Sequence, residues 1–160
     1  MELTQEILHT LFDYKDGVLY WKTKINKNIK VGKAAGSKNS AGYFHTWVYD
    51  KKYLNHRLIF MMFNNYLPAC LDHIDGNPLN NKIDNLRPAT FSQNQYNKKT
   101  PKHNKSGFKG VYKYKDTWRA RLTVDKKLIH IGYFNTLEEA ASAVKKARQH
   151  LHQEFFNHGI

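Results

Sequence analysis

Cysteine is almost absent from the sequence, which holds one such residue, Cys70, among 160. A single thiol excludes a framework of internal disulfides and a zinc knuckle built on paired cysteines. Long hydrophobic runs are absent as well, since no apolar stretch approaches the roughly 20 residues that a membrane-spanning helix requires. Because the N-terminus also lacks a hydrophobic leader segment, we expect a cytoplasmic protein with no membrane partner. We also expect no small-molecule cofactor.

Acidic residues are the third shortage: 13 Asp and Glu stand against 26 Lys and Arg, which gives a formal net charge of +13. The excess lies in two segments. Residues 22–57 hold nine basic side chains and one acid, and residues 98–127 hold eleven basic side chains and two acids. Aromatic residues are interleaved with these charges. Because phosphate contacts need dispersed cations on an ordered surface, we expect a nucleic acid as partner.

The apolar spacing predicts an α+β protein with two small domains. Leu3, Ile7 and Leu11 recur at helical spacing, so we expect an N-terminal helix that ends near Asp13. The other elements expected before the linker are a strand at 18–21, a hairpin at 42–54, a buried helix from Leu58 that Pro68 must end, a strand at 71–74 and a helix that begins at Thr90.

A second domain follows a linker at 100–106. Three short alternating strands, at 110–114, 117–124 and 128–134, precede a helix that opens with a capping box of Thr136 and Glu139. We expect a three-stranded antiparallel sheet packed on this one helix. Strand alternation turns one set of side chains towards the helix: Val111, Trp118, Ala120, Leu122, Ile129 and Ile131. It turns a second set outward: Tyr112, Tyr114, Arg119, Arg121, Thr123, Leu128 and His130.

A dense polar cluster occupies residues 72–97. Asp72 and His73 end a short apolar stretch, and six asparagines follow. A site that needs a base, an orienting amide and an oxygen ligand for a hard cation would use these residue types. Turn formation is an alternative explanation for Asn77, Asn80 and Asn81. It does not explain Asn94 and Asn97, which lie three apart on one face of a helix.

The runs LDHIDGN, NNKIDNLR and ATFSQNQYN resemble the HNH (His-Asn-His) nuclease motif, in the phage and intron-homing branch whose last His is Asn. The resemblance extends upstream through GVLYWK, VGKAAG, GYFHTWV and NHRLIF. It implies a homing-type endonuclease domain at 1–99, acting on double-stranded DNA, with a ββα-metal core at about 70–99.

The HNH resemblance also implies roles for single residues. His73 would be the general base and Asn85 would fix its ring, while Asp72 and Asn94 would ligate one Mg²⁺ or Mn²⁺. Asn97 matches a second position near the metal or the substrate. Arg57, in the matching HRL element, and Arg87 would contact DNA.

Residues 106–147 resemble the plant APETALA/ethylene-response-factor DNA-binding domain through GV, WRARL, HIGYF and TLEEAASA. The resemblance implies a DNA-binding domain at 107–160 whose outward sheet face lies in the major groove. Its expected DNA contacts are Tyr112, Tyr114, Arg119, Arg121, Thr123 and His130. Several of these positions depart from the plant pattern, which puts GC-rich recognition in doubt.

Two other hypotheses compete with a two-domain, metal-dependent endonuclease. One is a DNA-binding transcriptional regulator that carries an inactive HNH remnant, and the other is an RNA-binding protein. Asp72, His73, Asn85 and Asn94 are all present, which favours the nuclease. A single active site cuts one strand, so we expect a monomer to nick.

Overall fold

A computed structural model describes residues 3–98, 100, 104–152 and 155. The chain divides into two compact units, residues 1–88 and residues 89–160, and each is described by itself. The predicted domain 1–99 extends past the first unit and takes in one helix of the second. Residues 101–103 of the predicted linker lie outside the described residues, as do residues 1, 2, 99, 153, 154 and 156–160. Among the described helices, none has the length and apolar character that a bilayer crossing demands.

The first unit begins with helix α1, Gln5–Leu11, which is capped by the Thr4 side chain. Strand β1, Phe12–Lys15, follows at once and pairs antiparallel with β2, Val18–Trp21. The predicted N-terminal helix that ends near Asp13 is therefore confirmed, with its last residue at Leu11. The helix ends at Leu11 because Phe12 adopts an extended conformation, and its buried ring packs 4.6 Å from that of Trp21.

The first unit also contains a three-stranded sheet and a second helix. Strands β3, Ser37–Lys38, β4, Phe44–Val48, and β5, Lys51–Leu54, form an antiparallel sheet, which confirms the predicted hairpin. Helix α2, Asn55–Asn64, follows. It ends because Asn65 adopts a left-handed conformation with φ of 57°, so the prediction that Pro68 ends it is wrong.

The core of the first unit lies between α1, α2 and the β1–β2 hairpin. A buried polar contact ties its sheet to α2: the Thr46 hydroxyl donates to Asn55 Oδ1 at 2.7 Å, and Asn55 Nδ2 donates to the Ala35 carbonyl at 2.9 Å. The largest fully buried apolar side chains of this unit are Phe12, Leu8, Leu19, Ile59 and Val48. Leu71, on the strand that follows α2, belongs to the same buried cluster.

That strand is β6, Cys70–His73, and all four of its residues are buried. It pairs with β7, Leu86–Ala89, after a loop that contains one 3₁₀ turn, Ile83–Asn85. Helix α3, Phe91–Asn97, then opens with a capping box of Thr90 and Gln93. The predicted strand and the helix start at Thr90 are confirmed. The arrangement of these elements as a ββα unit around a metal stays a prediction.

The second unit also contains a three-stranded sheet. Strands β8, Val111–Tyr114, β9, Thr117–Val124, and β10, Lys127–Phe134, are antiparallel in the order β10-β9-β8. Helix α4, Leu137–Leu151, packs on one face of this sheet and opens with the predicted capping box. The predicted inward side chains Val111, Ala120 and Leu122 are buried, Trp118 and Ile131 pack against the core, and Ile129 is half-buried.

The buried stripe of α4 differs from the predicted one near the end of the helix. Helical spacing in the sequence predicts an apolar stripe of Leu137, Ala140, Ala141, Val144, Ala147 and Leu151, but Leu151 is exposed and Arg148 is buried instead. Ala140, Val144 and Arg148 recur every four residues and so share one face. Helical periodicity in the sequence predicts that Arg148 faces solvent. In the fold, its guanidinium donates a hydrogen bond to the Lys109 carbonyl. Burial lowers the pKa of Arg148 to about 10.

Candidate active site

Asp72 and His73 are buried neighbours on β6, and they take different partners. Successive residues of a strand point to opposite faces. Asp72 accordingly meets the next strand, whereas His73 meets the loop between the strands. Both contacts lie wholly within the first unit.

The Asp72 carboxylate forms an ion pair with Arg87 on β7. Arg87 Nε and Nη2 lie 2.9 and 2.8 Å from Asp72 Oδ2, and the two side chains are 13% and 4% exposed. Charge-assisted hydrogen bonds of this kind are stronger than neutral ones, and water has little access to replace them. Two nitrogens of the Arg87 guanidinium therefore bind the Asp72 carboxylate. The expected contact of Arg87 with DNA stays a prediction.

The imidazole of His73 is held by an amide and by two rings. His73 Nε2 lies 3.0 Å from Asn81 Oδ1. The rings of His56 and Tyr43 lie 5.0 and 6.1 Å from the His73 ring, with His56 edge-on. Burial lowers the pKa of His56 to about 3, helped by the charges of His73 and Arg57, so His56 is neutral near pH 7.

Asn85, which was expected to hold the His73 ring, bonds to Asp75 and Asn80 instead. Its Nδ2 donates to Asp75 Oδ1 at 2.9 Å and to the Asn80 carbonyl at 2.7 Å, and its Oδ1 accepts from Asp75 N at 3.1 Å. The amide that contacts the His73 ring is thus Asn81, and Asn85 closes the loop between β6 and β7. The expected bond from Asn85 to that ring is corrected accordingly, while a catalytic role for Asn85 stays a prediction.

Asp75 anchors the same loop. Burial raises its pKa, but hydrogen bonds from the Asn80 side chain, the Asn77 backbone and the Asn85 side chain outweigh that effect, so its pKa lies below the ordinary value. The Asp75 carboxylate is therefore ionised at neutral pH and orders three asparagines around it.

Asn94 and Asn97 lie on α3, which belongs to the second unit. The neighbouring Tyr96 fastens α3 there: its hydroxyl donates to Asp125 Oδ1 at 3.1 Å, and its ring stacks 3.8 Å from that of His152. Burial, the largest effect, lowers the pKa of His152. This anchoring explains why the first compact unit ends before α3. The expected roles of Asn94 and Asn97 near a metal stay predictions.

Lys109 holds the end of α3 in the same unit. Its Nζ donates to the Tyr96 and Lys98 carbonyls at 2.8 and 2.5 Å, at the negative end of the helix dipole. Burial lowers the pKa of Lys109 to about 8, and the charges of Arg148 and Lys98 add to this effect.

The outward face of the second sheet carries arginines packed on aromatic rings. The guanidinium of Arg121 lies 4.2 Å from the Tyr112 ring centre, and that of Arg119 lies 5.6 Å from the Tyr114 ring centre. Such packing holds the cations in place on the sheet. Thr123 and His130 are exposed on their strands, as predicted for the outward set.

Sequence alternation missed one member of this face, Tyr133. The register shifts between His130 and Gly132, so Ile131 is an extra residue and Tyr133 pairs with Arg119. The Tyr133 ring lies 5.2 Å from Tyr114 and 4.8 Å from His130. A glycine in a strand is a recognised signal of such a bulge, and Gly132 could have indicated it.

The basic segment of the first unit also presents an aromatic side chain to solvent. Trp47 on β4 is 57% exposed and pairs with Lys52 on β5. Arg57 is half-buried, and its Nη2 donates to the Pro68 carbonyl at 3.2 Å, so the predicted contact of Arg57 with DNA stays a prediction.

The donor chemistry suits a hard cation. Within the part of the chain that the structure describes, three His, Cys, Asp or Glu side chains do not gather in any one place to hold a metal. The expected ligands are instead one carboxylate, on Asp72, and one carboxamide oxygen, on Asn94. Oxygen donors of this kind fit Mg²⁺ or Mn²⁺, whereas structural zinc prefers Cys and His.

Comparisons with known proteins agree with these features. The HNH endonuclease family matches residues 53–96. Protein 3.8 of Escherichia phage T7 is 42% identical over 87 residues, which cover 53% of this chain and 71% of the relative. An uncharacterized HNH endonuclease of Acanthamoeba polyphaga mimivirus is 36% identical over 104 residues, 62% of this chain and 54% of that protein. No solved structure matches the chain.

Proposed function

Since the chain belongs to the HNH endonuclease family and is a DNA nuclease, we propose that it is a metal-dependent, homing-type endonuclease that hydrolyses phosphodiesters in double-stranded DNA. The observation that carries this proposal is the pair Asp72 and His73 on a buried strand. Each side chain is held by a dedicated partner, Arg87 or Asn81. All four residues lie within the matched segment.

His73 is the general base in this proposal. A phosphodiester resists attack because its negative charge repels nucleophiles, so the attacking water must lose a proton as it approaches. A neutral imidazole can accept that proton near pH 7, since its ordinary pKa is about 6.5. The Asn81 amide and the His56 ring restrict the motion of the His73 ring, which keeps the accepting nitrogen aimed in one direction. Asn85 supports the base through the loop it closes.

Asp72 and Asn94 would hold one Mg²⁺ or Mn²⁺, with Asn97 as a further candidate, and the ion would supply positive charge at the scissile phosphate. Arg87 orients the Asp72 carboxylate through its two bonds to Oδ2. Because the carboxylate is the one charged group of the proposed ligand pair, Asp72→Asn should weaken activity most at low metal concentration.

Two surfaces would bind the duplex. One is the basic segment 22–57 around Trp47, where Arg57 is a further expected contact. The other is the outward face of the second sheet, which acts as an APETALA-type module that selects the target. The support for the second surface is its row of arginines held on tyrosine rings. Cations held in this way lose little side-chain freedom when they meet phosphates.

The test uses the full chain and supercoiled plasmids that carry DNA from its genomic neighbourhood. We expect nicking with Mg²⁺ or Mn²⁺, none with EDTA, and recovery when the metal is restored in excess. His73→Ala is the matched control, and it should bind the same DNA without cutting it. Specific DNA binding with no cleavage by the wild-type protein under any metal condition would contradict the proposal and favour a regulator with an inactive remnant.

A further inference from the structure

We propose that a cavity of the second unit binds a phosphate group carried by a nucleotide, at a site centred on Arg148. The cavity has a volume of about 790 Å³, and residues of α3, of the sheet, of α4 and of the segment before β8 line it. A volume in this range suits a ligand of nucleotide size, since small-molecule sites typically measure roughly 300–1,000 Å³. Such binding is a property beyond the nuclease function and does not depend on cleavage.

The lining of this cavity carries charge of one sign. The described residues that line it include no Asp or Glu, whereas six are Lys or Arg: Lys105, Lys109, Lys113, Arg121, Lys126 and Arg148. A cleft lined by charges of one sign focuses their field and raises the local concentration of the opposite ion. Arginine and lysine bind phosphate through charge-assisted hydrogen bonds. The cavity therefore favours an anion, and a phosphate group in particular.

Arg148 is a buried cation that lacks both a counter-ion and one hydrogen-bond acceptor among the described residues. It is 3% exposed, its guanidinium donates to the Lys109 carbonyl, and its Nε has no acceptor there. Neither ion pair of the described residues involves it. A charged donor that is buried and unpaired is costly, and such groups call for an explanation. A phosphate oxygen in the cavity would supply both the acceptor and the negative charge.

Lys109 adds a second charge beside Arg148. Its Nζ donates to the carbonyls of Gln95, Tyr96 and Lys98, at 3.4, 2.8 and 2.5 Å. An ammonium group has three hydrogens, so Lys109 offers the ligand its charge and no further hydrogen bond. Burial, the largest effect, lowers the pKa of Lys109 to about 8 and that of Arg148 to about 10, and the charge of Arg148 further lowers the pKa of Lys109. A bound anion would stabilise both cations.

Other parts of the lining suit the sugar and the base of a nucleotide. His152 Nδ1 is buried without a hydrogen-bond partner among the described residues, while His152 Nε2 lies 3.1 Å from the Thr123 carbonyl oxygen. Tyr112 and Trp118 provide aromatic surface, on which nucleobases stack irrespective of their sequence. A bare phosphate ion would leave this surface uncovered. The combination of cations and aromatic rings therefore favours a nucleotide over an inorganic anion.

Two sources supply such a nucleotide, a DNA strand and the free nucleotide pool. Tyr112 and Arg121 line the cavity and also form a stacked pair on the outward face of the sheet, 4.2 Å apart. A strand bound on that face would therefore have a nucleotide within reach of the cavity. Because free nucleotides carry the same phosphate, both sources enter the test.

Titrations of the ¹⁵N-labelled full chain, followed in ¹H–¹⁵N spectra, test the site. Thymidine monophosphate should cause saturable shifts of the Arg148 Nε–H and of the backbone amides around the cavity. Thymidine, which lacks the phosphate, should bind at least about tenfold more weakly. If a short oligothymidylate saturates these resonances at lower concentration than the mononucleotide does, the site takes a DNA strand, and the reverse order indicates a free nucleotide. Equal affinity for thymidine and thymidine monophosphate, or no shifts at these resonances, would overturn the proposal.

Two sets of variants locate the phosphate. Arg148→Met removes the buried charge and should weaken binding of thymidine monophosphate by about tenfold or more. Lys105→Gln combined with Lys126→Gln removes two exposed cations of the lining and should weaken binding severalfold. Lys145→Gln combined with Lys146→Gln is the matched control. It removes the same charge from exposed residues of α4 that do not line the cavity, and it should leave the affinity nearly unchanged.

The exposed lysine pair decides the matter even if Arg148→Met does not fold, which circular dichroism would show. If the Lys105 and Lys126 pair and the α4 pair weaken binding equally, the net charge of the protein attracts the nucleotide, and the cavity is not its site. These measurements involve no cleavage, so their failure would leave the proposed nuclease function standing.

Discussion

Removal of the arginine that pairs with Asp72 should destabilise the first unit strongly. Arg87→Met keeps most of the packing volume and leaves the Asp72 carboxylate, 4% exposed, without its cation. Two charge-assisted bonds of 2.8 and 2.9 Å are lost, and water cannot reach the carboxylate freely to replace them. Loss of one member of a buried pair typically costs about 3–5 kcal/mol in the free energy of unfolding. That is a large fraction of the roughly 5–15 kcal/mol of a whole domain.

Urea unfolding measures this loss. A background of Trp118→Phe removes the tryptophan of the second unit, so that fluorescence reports the first unit, through the buried Trp21 and the exposed Trp47. With a slope of about 1–3 kcal/mol per molar urea, a loss of 3 kcal/mol moves the midpoint down by about 1–3 M. Asp72→Asn combined with Arg87→Met should recover part of the loss, since the buried charge is then gone.

The exposed pair of Lys22 and Asp13 provides the control. Its atoms are 3.8 Å apart, and its side chains are 54% and 68% exposed. Exposed pairs contribute about 0.2–1 kcal/mol, so Lys22→Met should move the midpoint little. If Arg87→Met lowers the free energy of unfolding no more than Lys22→Met does, the Asp72–Arg87 pair does not stabilise the strand that carries Asp72 and His73.

Three further outcomes are expected. His73→Ala should lower the cleavage rate by about 10²–10⁴-fold, the usual contribution of a general base, while gel-shift affinity for DNA stays the same; undiminished cutting would remove His73 from the mechanism. Replacing Arg119 and Arg121 together by Ala should reduce the slope of log K against log salt by up to roughly 2, at about 0.9 per lost phosphate contact. Lys146→Ala, on α4, is the control and should leave this slope nearly unchanged. If the double Arg variant, Lys146→Ala and the wild type all have the same slope, the second sheet does not bind DNA. The first unit should lose stability as pH falls from about 6.5 towards 3, because the unfolded chain protonates His56 in that window while the folded state, with its pKa lowered to about 3, does not. His56→Phe should flatten that dependence in urea titrations at several pH values, and a pH dependence identical to that of the wild type would refute it.

Local signals in the sequence were sufficient for most elements. The capping boxes at Thr90 and Thr136 predict two helix starts that the structure confirms. Alternation predicts the buried side chains of the second sheet for the same reason, since strand geometry depends on neighbours along the chain. The motif containing Asp72 and His73 likewise marks the candidate site, because its residue types and spacing are distinctive without any structure.

Features that depend on contacts distant in sequence were not predictable in this way. Alternation assigns Tyr133 to the wrong face because a bulge depends on how two strands pair. Helical periodicity predicts that Arg148 faces solvent, because its partner, the Lys109 carbonyl, is distant in sequence and comes close only in the fold. Which of several loop asparagines meets an imidazole depends on how the loop folds back over β6.

The sequence by itself thus determined the candidate chemistry of this protein: residues of the types that a nuclease site uses, at Asp72, His73, Asn85 and Asn94, and two basic segments. The tertiary structure decided which side chains act on one another. In the fold, Asn81 contacts the His73 ring, and Asn85 bonds to Asp75 within the loop between β6 and β7. Asp72 pairs with Arg87. The physical reason is that a hydrogen bond requires about 3 Å and a suitable direction, which only the folded chain supplies.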